Sequence, residues 1–318
     1  MTDDARPALL LTGPVMEDVV ERQLAPRFTL LSLDTFSDAD AGAVRAIATR
    51  GKVRVDEALM ARLPALEIVA NFGVGYDTVD AAAAARRGVM VTNTPDVLNE
   101  EVADLTLGLL LATVRQIPQA DRFVREGSWV KGAFPLGPTL RDRTVGIIGM
   151  GRIGKAIARR LDAFGVPVVY HTRRPQPDVA LRHYQRLEEM AHDVDVLVVI
   201  VPGGPATRHL VNAPVLAALG PDGILINVAR GTVVDELALL AALKARTILA
   251  AGLDVFEDEP NVPEAFFALD NAVLLPHVGS ATHYTRAAMG QLVVDNILSW
   301  FDGKGPVTPV VETPWPQG

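Results

Sequence analysis

Thr144-Val145-Gly146-Ile147-Ile148-Gly149-Met150-Gly151-Arg152-Ile153-Gly154 is an apolar run that ends in three glycines with G-x-G-x-x-G spacing. The run has strand character, and residues 155–164 after it have helix character, so the glycines fall on the turn between strand and helix. Gly149 permits a tight turn there, Gly151 lets a pyrophosphate approach the backbone, and Gly154 lets the helix pack closely on the sheet. The N-terminus of that helix offers unpaired N–H groups and the positive end of its dipole. Arg152 and Ile153 lie in its first turn, where Arg152 adds charge. The stretch predicts a dinucleotide-binding strand–turn–helix unit.

Working outward, the same alternation of strand and helix continues on both sides. After the glycine turn, strand candidates recur at 166–170, 196–201, 224–227, 250–254 and 272–275. With 144–148 they make six, which fits a doubly wound dinucleotide-binding domain. Upstream, candidates at 8–11, 29–33, 44–49, 67–71 and 89–92 alternate with helix candidates at 16–24, 56–63 and 79–87, a βαβ rhythm that predicts a second parallel sheet. A long apolar helix is expected over 99–117, with Pro118 ending or kinking it, and residues 127–143 read as irregular. The last helix candidate, 283–300, is expected to pack back on the first domain. The expected fold is therefore α/β with two doubly wound parallel-sheet domains. A flavodoxin-like substrate domain covers 1–98 plus 286–318, and a Rossmann-type cofactor domain covers 99–285.

Bulk composition narrows the function classes. The chain has 318 residues, 49% apolar and 21% charged, with no cysteine and a formal charge of −8. Two globular domains fit that length. An acidic surface argues against nucleic acid or an anionic membrane as partner, while leaving room for a local anion-binding pocket. Without cysteine there is no disulfide, thiolate metal site or cysteine nucleophile. No His/Asp/Glu spacing resembles a zinc or calcium site. Residues 1–7 lack a signal-peptide core, and the most apolar runs, 105–114 and 194–201, are too short to span a bilayer. A cytoplasmic enzyme is expected.

The end of the second strand of the cofactor domain selects between nicotinamides. An NAD site usually places an acid about 20 residues after the glycines, on the ribose hydroxyls. Here Thr172 occupies that place, followed by Arg173 and Arg174, with no acid before Asp178. A carboxylate would repel a 2′-phosphate, whereas a hydroxyl and guanidinium groups can hold one. NADP(H) is the expected cofactor, with NAD(H) possible.

Three segments at strand ends of this domain carry reactive side chains: Asn227 to Gly231 with Arg230, Gly252 to Pro260 with Glu257 and Glu259, and Pro276 to Gly279 with His277. A guanidinium can hold carboxylate and carbonyl oxygens in a fixed fork. An imidazole can donate a proton as hydride arrives, and a neighbouring carboxylate favours its charged form. The set suits reduction of a 2-oxo acid. Spacing alone leaves Glu257 and Glu259 as alternatives.

With these motifs in this order, the chain resembles the D-isomer-specific 2-hydroxyacid dehydrogenase family over nearly its whole length, and especially its glyoxylate/hydroxypyruvate reductase branch. The resemblance implies Arg230 as the substrate-orienting cation, Glu259, the acid before proline, as partner of the histidine, and His277 as proton donor. It implies that the segment Asn71 to Asp77 binds the substrate carboxylate through the main-chain N–H groups of Val74 and Gly75. Pro202 and Thr207 resemble the segment lining the adenosine and pyrophosphate. Asp254 resembles an aspartate near the nicotinamide amide, and Gly279 is expected among the cofactor-binding residues. The expected activity is NADPH-preferring reduction of small 2-oxo acids, glyoxylate and hydroxypyruvate, to D-2-hydroxy acids. The alternatives are another dehydrogenase of the family (D-lactate, phenylpyruvate or phosphoglycerate type) or a non-catalytic, corepressor-like dinucleotide sensor. The family's dimers imply a homodimer, with Trp129 in the region of the contact. Gly73 departs from the alanine often found there. Of the remaining histidines, His171, His183, His192 and His209 are expected at the surface and His283 in a structural role. Trp300 and Trp315 are expected to pack or cap the chain end.

Overall fold

Four consecutive residues, Ala8 to Leu11, are all buried, as are Ile68 to Asn71, Val145 to Ile148, Val196 to Val199 and Ile224 to Asn227. A strand buried on both faces needs helices above and below, which is the environment of a parallel sheet. The computed structural model, which describes residues 6–51 and 53–315, has two such sheets. Residues 1–5, most of the stretch read for a leader core, lie outside the described residues.

The chain divides into two compact units, Met1–Leu98 with Thr282–Gly318, and Asn99–Ala281. The first contains β1 (Ala8–Leu11), β2 (Thr29–Ser32), β3 (Val44–Thr49), β4 (Ile68–Asn71) and β5 (Met90–Thr92) in the order β2-β1-β3-β4-β5, every pair parallel. That order reverses its winding between β1 and β3, so the switch point of this sheet lies there. The helix His283–Phe301 belongs to this unit. Its first turn is capped by the Thr282 side chain, which accepts from the Thr285 N–H, so the segment joins the first unit at Thr282, ahead of Arg286. Gly290 lets this helix approach Val19 closely, since a Cβ there would sit 3.1 Å from it. The following segment is stitched to the sheet edge by Thr313, whose hydroxyl accepts from the Val91 N–H at 3.0 Å. Trp300 donates to Glu67 at 3.0 Å and stacks edge-on with Trp315, so the two tryptophans close the chain end as expected.

The second unit holds β6 (Val145–Ile148), β7 (Val168–His171), β8 (Arg182–Tyr184), β9 (Val196–Val199), β10 (Ile224–Asn227), β11 (Ala250–Leu253) and β12 (Ala272–Leu274). Their order, β12-β11-β10-β9-β6-β7-β8, is parallel throughout and switches between β6 and β9. Alternate residues feed two cores. Val196, Val198, Ile224 and Ile226 join one, while Leu197, Val199 and Leu225 join the other. The helix Asn99–Val114 crosses β11, where Gly252 leaves room for it: a Cβ would lie 2.5 Å from the Thr113 hydroxyl.

Three expectations change. β8 is a seventh strand; its sequence, Arg-His-Tyr, is short and polar because it lies at the sheet edge beyond β7. Pro118 does not end the long helix. That helix stops at Val114, Gln116 takes a left-handed conformation, and Pro118 sits in the first turn of a new helix, Ile117–Arg125, where its missing N–H costs nothing. The helix expected over 16–24 opens as a wide π-type turn, Glu17–Glu21, before the short α-turn Arg22–Leu24.

Candidate active site

The glycine turn sits at the switch point of the second sheet, between the ends of β6 and β9. Gly149 has φ +102, and a Cβ there would lie 2.3 Å from the Ile200 carbonyl oxygen. A Cβ on Gly154 would lie 2.2 Å from the Gly149 carbonyl oxygen, so neither position admits a side chain. Gly151 differs. Nothing lies within 4 Å of where its Cβ would be, which leaves the backbone open to an approaching group. It is the N-cap of the helix Arg152–Ala163, and no side chain caps that end. Arg152 is exposed in the first turn, and Ile153 is half-buried against the adjoining core. An uncapped helix N-terminus beside an open glycine suits a pyrophosphate.

At the end of β7, Thr172 occupies the discriminating position, half-buried, with Arg173 and Arg174 exposed after it. The Thr172 hydroxyl donates its one proton to the Arg174 carbonyl at 2.7 Å. It therefore orders the loop, which leaves the guanidinium groups of Arg173 and Arg174 exposed beside it. Asp178, the first acid after Thr172, is held by Lys155 at 2.5 Å. His171 and His183 are half-buried pins of this loop and not surface residues: His171 bonds the Tyr184 carbonyl at 3.0 Å and His183 the Thr172 carbonyl at 2.9 Å. Beyond β9, the Thr207 hydroxyl donates to the Pro202 carbonyl at 2.6 Å and closes the 202–207 turn.

The reactive side chains gather beyond β10, β11 and β12. Asn227 is buried; it accepts from the Ala229 N–H at 3.1 Å and donates to the Arg230 carbonyl at 3.1 Å, fixing the turn that presents Arg230. A Cβ on Gly231 would lie 1.9 Å from the Phe256 backbone, so only glycine brings this turn against the segment leading to Glu259. Glu259 accepts from the Phe256 N–H at 3.1 Å with one oxygen and meets His277 Nδ1 at 2.7 Å with the other. Burial pushes the Glu259 carboxyl up, but the bond to His277, its charge, the Phe256 N–H and Arg230 outweigh it and hold the carboxyl below its ordinary range. Glu257 is engaged elsewhere, with Arg208 at 2.7 Å and His209 at 3.2 Å. Geometry thus separates the two glutamates that spacing left open, and it makes His209 half-buried and paired. His192 is exposed, and so is His283, despite the structural role expected of it.

His277 has φ +54, a backbone region that a non-glycine residue seldom adopts. Asp254 stabilises that turn. Its two carboxylate oxygens accept from the next two N–H groups, Val278 at 2.8 Å and Gly279 at 2.9 Å. Asp254 is buried, and burial raises its carboxyl above the usual range although the two N–H bonds and His277 oppose the shift. Sequence reading assigned no role to Asn227 or Gly231, and it linked Asp254 to the cofactor alone. Their signal was present only as small or polar residues at strand ends.

In the first unit, the turn after β4 has an unusual hydrogen-bond pattern. Asn71 donates to the Gly73 and Gly75 carbonyls at 3.0 and 3.1 Å, and Asn93 donates to the Val74 carbonyl at 2.8 Å. The carbonyls are tied back, while the N–H groups of Val74 and Gly75 have no acceptor among the described residues. Successive N–H groups left open in this way can receive an anion.

The family model of the D-isomer specific 2-hydroxyacid dehydrogenase NAD binding domain matches residues 107–279. The chain is 46% identical over 302 residues to glyoxylate/hydroxypyruvate reductase A HPR2 of Arabidopsis thaliana, covering 93% of this chain and 96% of that protein. The chain belongs to the D-isomer-specific 2-hydroxyacid dehydrogenase family. A second relative is the 2-ketogluconate reductase of Gluconobacter oxydans (strain 621H), 42% identical with 96% and 99% of the two chains covered. Among solved structures, the NADPH-dependent glyoxylate/hydroxypyruvate reductase SmGhrB from Sinorhizobium meliloti, in complex with NADP and malonate, superposes with a TM-score of 0.91. It is 52% identical, with 99% of each chain covered. Members of this dehydrogenase family are oxidoreductases, and a nicotinamide nucleotide fits the residues found here: open Gly151, the uncapped helix end, and a β7 terminus with two arginines and no acid. Among the described residues no helix is long and apolar enough to cross a membrane.

Proposed function

We propose that the chain is an NADPH-dependent reductase of small 2-oxo acids, with glyoxylate and hydroxypyruvate as substrates and D-2-hydroxy acids as products. The observation that carries this reading is the His277–Glu259 pair, 2.7 Å apart, beside Arg230 at the strand ends of a dinucleotide-type sheet. The 52% identity to an NADPH-dependent enzyme supports the cofactor and substrate class. NADPH, when bound, supplies the hydride that adds to C2 of the 2-oxo acid. Gly149, Gly151, Arg152, Ile153 and Gly154 hold its pyrophosphate, and Arg173 and Arg174 hold its 2′-phosphate. Pro202, Thr207, Asp254 and Gly279 line the rest of its site. The Val74 and Gly75 N–H groups receive the substrate carboxylate, and Arg230 orients the carboxylate and carbonyl oxygens. His277 faces Glu259 through Nδ1, which leaves Nε2 to give its proton to the C2 oxygen. Glu259 keeps the ring oriented and offsets its charge. Exposed apolar residues on 117–136, Trp129 among them, support a homodimer.

Turnover tests this directly. His277→Ala is expected to lower kcat with glyoxylate and NADPH by about a hundredfold to ten-thousandfold, the usual worth of a general acid, while NADPH binding followed by fluorescence persists. Near-normal turnover in that variant rejects the assignment. The cofactor preference is checked by kcat/KM with NADPH and NADH. Arg173→Ala combined with Arg174→Ala is expected to lower the NADPH value by about tenfold or more, the loss of at least one charge-assisted bond, with little change for NADH.

A further inference from the structure

Arg50 follows β3 directly, and Phe72 follows β4 directly. β3 stands beside β1 at the switch point of the first sheet, and the crevice beyond the C-terminal ends of such strands is where a doubly wound sheet takes its ligand. The Arg50 guanidinium lies 5.6 Å from the Phe72 ring centre. Arg286, from the helix His283–Phe301 of the same unit, lies 5.6 Å from the same ring. Two cations are thus gathered on one aromatic ring, an attraction worth less than a full ion pair.

Their surroundings do not balance them. Arg27, Arg45, Arg62, Arg86 and Arg87 of this unit each hold an aspartate or glutamate. Arg50 has one long contact, 3.5 Å to the Pro14 carbonyl in the loop after β1, and neither Arg50 nor Arg286 has a carboxylate partner among the described residues. Arg286 is half-buried and sits near the N-terminal end of its helix, where the dipole disfavours a cation. Burial and the charge of Arg50 both weaken its hold on its proton. An arrangement that desolvates one arginine near the start of its helix and sets a second cation beside it is electrostatically complete only with an anion. Phe72 leads into the turn whose Val74 and Gly75 N–H groups are open, so the ring that gathers the two cations adjoins that turn.

We propose that Arg50 and Arg286 form a second anion subsite, which takes the distal carboxylate of a 2-oxo dicarboxylic acid. The assignment of the other end of that acid to Val74 and Gly75 rests on the reductase reading above. Glyoxylate has no distal group and gains nothing from the subsite; oxaloacetate and 2-oxoglutarate do.

The test compares kcat/KM for oxaloacetate, 2-oxoglutarate and glyoxylate with NADPH in the wild type, Arg50→Gln, Arg286→Gln and Arg286→Lys, with circular dichroism to establish folding. A hydrogen-bonded charge pair lost from a substrate is expected to lower the dicarboxylate value about tenfold or more, mainly through KM. The glyoxylate value is expected to fall less than about threefold, and Arg286→Lys is expected to restore part of the loss. Parallel losses on all substrates, or an unchanged ratio, overturn the subsite. Calorimetric titration with malonate, which has two carboxylates and no reducible carbonyl, separates the two readings. If the wild type reduces none of the three acids, the reductase reading falls; the subsite then stands on tighter malonate binding by the wild type than by Arg286→Gln, and equal binding overturns it.

Discussion

Glu259 shows how much a single side chain depends on its neighbours. Its carboxyl is held below the ordinary glutamate range because His277, the Phe256 N–H and Arg230 outweigh the cost of burial. A depressed native value means that the ionised form contributes its stability in full above the unfolded value, about 4.3. That contribution disappears as pH falls through the native value. Glu259→Gln removes the charge and keeps an acceptor, so the variant is expected to melt below the wild type at pH 7, with the gap closing on acidification through that range. Melting curves at stepped pH check this, and a gap that widens toward acid contradicts it. The identity of the pair was legible only in part. The types Arg, Glu and His at strand ends were readable, but the choice of Glu259 over Glu257 needed the fold, which hands Glu257 to Arg208 and His209. Thr172 makes the same point. Its place was readable from the spacing, while the commitment of its proton to the Arg174 carbonyl depends on how the loop closes.

At the scale of elements, legibility follows burial. Strands covered on both faces have continuous apolar runs and are visible in the sequence; β8, three residues at an edge, has none. Pro118 misled because proline is tolerated in the first turn of a helix as readily as just beyond the last one, and the sequence does not say which helix it belongs to. The glycine turn combines both kinds of information, and Gly154 and Gly151 should respond differently to the same methyl group. Gly154→Ala drives a Cβ toward the Gly149 carbonyl, 2.2 Å away, and overpacking of this kind costs about 1–3 kcal/mol. A lower Tm together with weaker NADPH binding is expected. Gly151→Ala meets open space, and its backbone, φ −77 and ψ −162, suits any residue. It is expected to leave Tm within about a degree while still weakening NADPH, because the methyl group occupies the approach to the helix end. If Gly151→Ala binds NADPH as the wild type does, the pyrophosphate does not come to that backbone.

At the scale of the whole molecule, the rhythm of strands and helices anticipated two parallel sheets, whereas the surface was legible only through resemblance. The helix Ile117–Arg125 shows why that surface matters. It has no buried residue, although an amphipathic helix is stable in water when its apolar stripe is covered. Ile117, Val124 and Trp129 are exposed, Val130 is 91% exposed and Leu136 fully so, all within twenty residues of chain. Scattered apolar residues on a surface need no explanation, but a run concentrated on one segment marks an interaction surface. The partner proposed for this segment is a second copy of the same chain, because a two-fold dimer would cover the same patch on both copies. The wild type is expected to sediment at twice the 34.0 kDa chain mass. Val130→Asp with Leu136→Asp puts charges on the two most exposed apolar residues of that segment and is expected to shift the protein to single-chain mass at micromolar concentration. Both side chains face solvent within the chain, so circular dichroism of the variant should match the wild type. A wild type that sediments as a single chain, or a double variant that stays paired, removes this segment as the contact.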